Sequence, residues 1–369
     1  MKKVAGSSNQ VSVFKSQLDD YRLSIDQRID TFVDRFETDT SEQFGELPLV
    51  VIQTFTDYLR RGGKRIRGAL TMVGYELFGG KDKAMILEAA LAIEILQAYI
   101  LMIDDIQDRS ETRRGGPTAH IMLRDYHQKH HLRDDPLHFG ESMAMNAFII
   151  ACHTAIDIIA DLDAEPPRVL KALKNINRCY TATGHGQTMD IFNEVIDTVS
   201  ELDVDNVLIW KTAYYTFVNP MQLGAILAGA SEDSLSNIYD YAIPAGRAFQ
   251  ITDDILGIYG EEFESGKSPL DDIKEGKRTI LSIKALELAP KADSYFLEQC
   301  LGKHDLTMTE FKQCRKIISD SGALDYAKQM AKSSVEEAAW AIRSAPNDWN
   351  PQSINFLEGL VRFLLDRRG

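Results

Sequence analysis

Residues 86–108 read ILEAALAIEILQAYILMIDDIQD. From Ile86 to Ile103 the run is apolar, interrupted by Glu88, Glu94 and Gln97, and it ends in Asp104, Asp105 and Asp108. A segment this long and apolar suits either a membrane span or the central helix of a large core. The internal carboxylates and the carboxylate cluster at its end make it a poor span, because charge in hydrocarbon is costly. It reads as a buried core helix, and that sets the expectation of an all-α fold.

Working outward, helical spacing dominates. Val13, Leu18, Tyr21, Ile25, Ile29 and Val33 mark a helix over Val11–Phe36. Pro48 opens a second to about Arg61, stopped by Gly62-Gly63, and a third runs from Gly68 to Phe78, stopped by Gly79-Gly80. The long apolar helix then reaches about Arg109. Gly115-Gly116-Pro117 breaks the chain, and a polar loop is expected around Arg124–Phe139. Helical patterns resume over Gly140–Asp161, Pro167–Gly184, Val204–Tyr215, Pro220–Ala230, Ser234–Tyr259, Thr279–Leu288, Ala292–Leu301, Thr309–Ser319, Ala323–Arg343 and Pro351–Arg368. No alternating strand pattern, internal repeat or long linker interrupts them. The expectation is a disordered stretch over residues 1–10 and one all-helical domain over 11–369.

Composition narrows the function classes. Hydrophobic residues make up 44% of 369 and charged residues 26%, ordinary values for a globular chain. A net charge of −14 argues against a nucleic-acid partner, which needs a basic surface. Cys152, Cys179, Cys300 and Cys314 form no C-x-x-C pair and read as reduced core thiols. The opening MKKVAGSSNQ leads into no apolar run, so no signal peptide and no stable membrane insertion are expected, and the cytoplasm is the expected location.

Two acidic clusters carry the chemistry. In Asp104-Asp105-Ile106-Gln107-Asp108, the outer aspartates are four apart and share a helical face. Carboxylates stacked in this way repel each other unless hard cations such as Mg²⁺ lie between them, or unless the segment is a solvated helix end. The second cluster is Phe249-Gln250-Ile251-Thr252-Asp253-Asp254-Ile255-Leu256-Gly257, with Gln250 and Asp253 on one face. Cations flank both. Arg113-Arg114-Gly115-Gly116 follows the first, and Gly62-Gly63-Lys64-Arg65-Ile66-Arg67-Gly68 precedes it. Guanidinium groups bind phosphate oxygens bidentately, so a diphosphate fits this setting, while a generic basic turn is the alternative. Gly186-Gln187, Asp190 and Lys211-Thr212-Ala213 lie between the acidic clusters, and Gly266-Lys267, Asp271-Asp272 and Glu275-Gly276-Lys277 beyond them. His127, His130 and His131 have spacing for a metal but sit in a polar segment without an acid to complete a site. Residues 260–268, GEEFESGKS, approach a P-loop but have the wrong glycine spacing and no preceding strand.

The ordered series GGKRIRG, DDIQD, RRGG, GQ, KTA, FQITDD, GK and EGK, from about Leu59 to Ile280, resembles the trans-prenyl diphosphate synthases. The resemblance implies an all-helical isoprenoid-synthase bundle around a central cavity. It implies an allylic diphosphate (dimethylallyl, geranyl or farnesyl) and isopentenyl diphosphate as substrates, with a homodimer as the assembly. It implies about three Mg²⁺ ions per site, which stabilise a leaving diphosphate. Asp104, Asp108 and Asp253 would hold them, supported by Asp105 and, through water, by Asp254 and Asp272. Arg113, Lys211 and Lys267 would hold the allylic diphosphate, with Lys277 also contacting substrate. Lys64, Arg67, Arg114 and Gln97 would hold isopentenyl diphosphate. Oxygen dipoles of Lys211, Thr212 and Gln250 would stabilise the allylic cation. Gly257 stands where many members carry a third Asp, which leaves the part played by Asp254 open. Arg367-Arg368 would be a basic tail able to fold over the isopentenyl site.

Two rivals share some of these features. A class I terpene cyclase also uses DDxxD and Mg²⁺, but has no use for GGKRIRG. A non-catalytic synthase subunit should have lost its acidic clusters. Product length turns on the helix before Asp104. By resemblance, Tyr99 and Ile100 set the depth, and an aromatic at Tyr99 alone points to geranylgeranyl diphosphate, with farnesyl diphosphate next. On a helical wheel Ile100 lies about 40° from Asp104 and Tyr99 about 140° away, which favours Ile100 as the wall. The very apolar helix at Leu87–Ile103 is also the expected dimer contact.

Overall fold

The structure, a computed structural model, describes residues 2–260, 269–346 and 348–366. The chain forms two compact units. One comprises Lys15–Lys174 with Leu223–Gly229, the other Met1–Phe14, Asn175–Gln222 and Ala230–Gly369. The division cuts across the sequence instead of along it, in keeping with the lack of a linker. Helices make up nearly all the regular structure, as the 3.6-residue periodicity requires.

The first unit takes most of α1 (Lys2–Phe44), then α2 (Glu46–Arg60), α3 (Ile66–Leu77) and α4 (Lys83–Gln107). Asp82 caps α4, its carboxylate accepting from the Met85 N–H at 3.0 Å. Every residue from Ala89 to Ala98 is buried, so α4 is covered on all sides within its own chain. It is the buried core helix expected from its sequence. After a two-residue hairpin, α5 (Ala119–Lys129) and α6 (Pro136–Ala160) pack together and against α4. The inner face of α6 is small, with Ala144, Ala147, Ala151 and Ala155 all fully buried, and this permits the close approach.

The polar loop expected around Arg124–Phe139 is mostly helix. Ala119, His120, Ile121, Leu123 and His127 bury one face of α5, but its outer face is so polar that the period is hard to see. His127 Nε2 lies 2.9 Å from the Arg133 carbonyl oxygen and its ring packs on Phe139, while His130 stacks on Tyr126. His127 and His130 are thus engaged in local packing.

The second unit contains the rest of α7 (Pro166–Val195), α8 (Glu201–Val207), a π-helical segment (Leu208–Val218) with the first residues of α9 (Asn219–Ala228), whose remainder belongs to the first unit, and α10 (Glu232–Tyr259). Then come α11 (Asp271–Glu275), α12 (Ile280–Leu288), α13 (Lys291–Cys300), α14 (Met308–Asp320), α15 (Ala323–Arg343) and α16 (Pro351–Asp366). Ile251, Ile255, Leu281, Phe311, Ile318 and Ala327 share its core. Phe14, Phe356 and Phe363 form an aromatic cluster that ties the start of α1 to α16. The π-helical stretch was expected as ordinary α-helix. It is hemmed in where it carries Lys211 and Ala213. A Cβ on Gly186 would lie 2.3 Å from the Lys211 amide nitrogen, and one on Gly246 would lie 2.4 Å from Ala213 Cβ.

Candidate active site

In the first unit the site is built on the last turn of α4. Asp104 and Asp108 are partly exposed, whereas Asp105 has no exposed surface. Asp105 is fully engaged. Tyr58 donates to its Oδ2 at 2.6 Å, and Arg113 Nε donates to its Oδ1 at 2.6 Å. Arg113 also reaches Asp104 Oδ2 at 3.4 Å. Burial works against the Arg113 charge, but the Asp105 and Asp104 carboxylates outweigh it and hold the guanidinium above its usual pKa. DDxxD therefore presents two carboxylates outward and uses the middle one as an internal anchor.

Arg113 stands on the hairpin, in which Thr112 pairs with Pro117 and Arg113 with Gly116. Arg114 (φ 51°) and Gly115 (φ 76°) form its tip, both in the positive-φ region that a type I′ turn demands. The RRGG sequence is thus a turn as well as a charge cluster. Arg114 Nη1 donates to the Gly62 carbonyl, and a Cβ on Gly63 would lie 3.2 Å from the Arg114 guanidinium carbon. This joins the hairpin to the GGKRIRG turn. There Arg65 adopts a left-handed conformation (φ 50°) with its side chain buried. It donates to Asp26 at 2.8 Å, to Glu94 at 3.1 Å and to the Leu59 carbonyl at 2.6 Å. Glu94 also accepts from the Gly68 N–H at 2.9 Å. With Arg65 fixed inside, Lys64 is exposed and Arg67 partly so. Loss of water around the Arg114 guanidinium, then the charges of Arg65, Arg113 and Arg67 acting against Glu94, lower its pKa. Crowded cations of this kind suit an anion. Gln97 is buried on α4 with its Oε1 accepting no hydrogen bond.

In the second unit the π-helical segment supplies Lys211 and Thr212. Lys211 Nζ donates to Asp190 Oδ2 at 2.6 Å. Lys277 donates to Glu194 at 2.6 Å and lies 3.5 Å from Asp190. Asp190 and Glu194 are one turn apart on α7 and serve both lysines. Thr212 donates to Gln250 Oε1 at 2.8 Å, and Gln250 Nε2 donates to Asp254 at 2.8 Å. Burial, then the neighbouring Asp272 carboxylate, push Asp254 well above the usual carboxylate range; Gln250 opposes the shift, and Asp253 and Asp190 add to it. Asp253 itself is exposed. Like charges this crowded are relieved by a bound cation, and carboxylate oxygens are the donors a hard divalent ion prefers. Lys267, the P-loop-like stretch 261–268 and the pair Arg367-Arg368 lie outside the described residues.

The sequence profile described as Polyprenyl synthetase matches residues 50–318. The chain belongs to the polyprenyl synthetase family. It is 31% identical over 350 residues to the geranylgeranyl diphosphate synthase of Saccharolobus solfataricus, covering 95% of this chain and 99% of that protein. It is 29% identical over 313 residues to the geranylfarnesyl diphosphate synthase of Aeropyrum pernix, covering 84% of this chain and 92% of that one. Among solved structures, a geranylgeranyl pyrophosphate synthase from Corynebacterium glutamicum, complexed with isoprenyl diphosphate and magnesium, superposes with a TM-score of 0.89. It shares 29% identity and covers 95% of this chain and 99% of that one. The all-α fold expected from the helical periodicity and the trans-prenyl diphosphate synthase expected from the motif order are both met.

For this prenyl synthase, the residues that sequence alone did not assign are the partners. Tyr58 on α2 and Arg61 just past its end, Glu94 on α4, and Asp190 and Glu194 on α7 hold the motif side chains in place. Among them Glu94 left a signal of its own, as a carboxylate inside an apolar run.

Proposed function

We propose that the protein condenses an allylic diphosphate with isopentenyl diphosphate, in Mg²⁺, to give geranylgeranyl diphosphate. The observation that carries most weight is the end of α4 with its hairpin: Asp104 beside Arg113, Asp105 sequestered, and the Lys64–Arg67 turn joined on through Arg114. Asp104, Asp108 and Asp253 are the residues that would hold Mg²⁺, which when bound supplies positive charge to the departing diphosphate. About three ions per site would match the resemblance on which the metal assignment rests.

The protein's own groups then divide the work. Arg113, Lys211, Lys267 and Lys277 bind and orient the allylic diphosphate, stabilising negative charge as its C–O bond ionises. Lys64, Arg67, Arg114 and Gln97 hold isopentenyl diphosphate so that its double bond attacks the allylic cation. The hydroxyl of Thr212, tied to Gln250, keeps an oxygen dipole available to that cation. The proton released on bond formation passes to the departing diphosphate, so no histidine base is required. The protein acts as a homodimer in the cytoplasm, without stable membrane insertion or nucleic-acid partner.

The deciding assay uses radiolabelled isopentenyl diphosphate with each allylic primer, followed by product-length analysis. Condensation to geranylgeranyl diphosphate, abolished by EDTA and restored by Mg²⁺, is expected. Turnover of an allylic diphosphate alone would identify a cyclase, no turnover at all would identify a non-catalytic subunit, and full activity in EDTA would remove the metal from the scheme.

A further inference from the structure

We propose that Tyr58 is a positioning residue: its hydroxyl fixes the Asp105 carboxylate and thereby aims Arg113 at the diphosphate-binding face. The role deepens the prenyl-synthase function proposed above and rests on it.

Tyr58 is buried on α2, 47 residues from Asp105 in sequence. Its oxygen is used twice. The Ala119 N–H, at the first residue of α5, donates to it at 3.0 Å, and its own O–H donates to Asp105 Oδ2 at 2.6 Å. With one lone pair taken by Ala119, the hydroxyl proton is directed to the carboxylate. Three helices are thus pinned at one oxygen. Asp105 has its other oxygen on Arg113, so each face of the carboxylate has its own donor and its rotamer is fixed. Arg113 is in turn held at three points. Its backbone pairs with Gly116, its carbonyl accepts from Arg61 Nη1 at 2.9 Å, and its side chain lies on Asp105 with Asp104 3.4 Å away. Arg61 lies one turn beyond Tyr58, and its guanidinium sits 5.5 Å over the Tyr58 ring. The C-terminal turn of α2 therefore clamps both the side chain and the backbone of the arginine.

Removing the hydroxyl leaves Asp105 held by Arg113 alone, and the pair is then free to swing together away from Asp104. The consequence falls on the group that meets the allylic diphosphate, while the turn carrying Lys64 and Arg67 keeps its separate anchors, Asp26 and Glu94.

The test is a double-mutant cycle of Tyr58→Phe and Asp105→Asn. Its readouts are kcat, KM for each substrate, and calorimetric binding of inorganic pyrophosphate in Mg²⁺. Thermal unfolding confirms that each variant is folded. Tyr58→Phe is expected to lower kcat and weaken pyrophosphate binding about tenfold each, the order set by one buried hydrogen bond to a charged group. KM for isopentenyl diphosphate should stay within about twofold. In the Asp105→Asn background the same change should cost less than about twofold, because its effect acts through Asp105. Independent, multiplying effects in the cycle would overturn the role, as would a fall in unfolding temperature with kcat and pyrophosphate binding unchanged. If the wild-type protein condensed nothing, the proposed function would fail, yet the pyrophosphate cycle would still decide Tyr58.

Discussion

A Cβ built on Gly257 would lie 2.4 Å from Asp272 Oδ2. The position where the family resemblance would put a third aspartate is therefore used here as space for a carboxylate from another segment. Asp272 comes in from the start of α11 and crowds Asp254. The second acidic cluster keeps its carboxylates, but one arrives through tertiary structure. Gly257→Asp would place a further negative charge against Asp272 and Asp254, where like-charge repulsion already acts. It is expected to lower kcat roughly tenfold or more and to raise the Mg²⁺ concentration needed for half-maximal activity, with little change in unfolding temperature because the Asp272 tip can shift. Unchanged Mg²⁺ dependence, read from a titration of initial rate, would show that Asp272 does not share the cluster. The charged residues themselves were legible in sequence because their spacing is local. The roles of Tyr58 and Glu94 were not, since what gives them a role is a contact made across tens of residues; Asp272 was named by resemblance, but its crowding of Asp254 beside Gly257 was not. Sequence also left Asp105 with a supporting part only, and its burial explains why: both its oxygens face protein donors.

At the scale of elements, helices with a one-sided apolar period were readable to within a turn or so, and α15 matches its expected limits. Four features escaped. α1 runs from Lys2 to Phe44, about two turns past each expected end at Val11 and Phe36. The polar outer face of α5 hid its period, α7 continues a full eleven residues past Gly184 to Val195, and the π-helical pitch of Leu208–Val218 has no pattern of its own. That last segment depends on close packing. A methyl on Gly186 would strike the Lys211 backbone, which cannot rotate away as a side-chain tip can. Gly186→Ala should displace Lys211 and Thr212 and reduce kcat roughly a hundredfold or more, with a smaller effect on KM for isopentenyl diphosphate. Near wild-type kcat in steady-state assays would mean that the segment tolerates the shift. Product length is likewise a property of two elements. The Tyr99 ring on α4 packs edge-on against Phe148 of α6, with centroids 6.1 Å apart. Tyr99→Ala opens an apolar space beside Phe148 that a growing chain can fill, so products longer than geranylgeranyl diphosphate should appear by chromatography. If Tyr99→Ala left the distribution unchanged while Ile100→Ala lengthened it, the helical wheel would have identified the wall correctly.

At the scale of the whole molecule, the apolar surface that asks for a partner is on α6 and not on α4. Both helices are long and apolar enough to cross a membrane by length and composition, but 67% of the α4 window is buried against 28% of the α6 window. Leu137, Met145 and Ile149 on α6 are each more than two-fifths exposed, and Leu170 on α7 more than half. Met145, Ile149, Cys152 and Ile156 recur at the spacing of a helical stripe, about 120° round the helix from the buried alanines. A stripe of this kind left in water is costly, and a second copy offering the same stripe covers it with a self-complementary contact. This stripe replaces Leu87–Ile103 as the surface proposed for the homodimer. Two changes on it, Met145→Glu and Ile149→Glu, put charges where the copies would meet without touching the residues assigned to substrate. Light scattering should give twice the 41.5 kDa chain mass for the wild-type protein and a single chain for the double variant at micromolar concentration. A wild-type monomer that partitions onto lipid vesicles, and loses that binding in the double variant, would instead make α6 a membrane-contact face. A monomer that does neither would leave the stripe without a role.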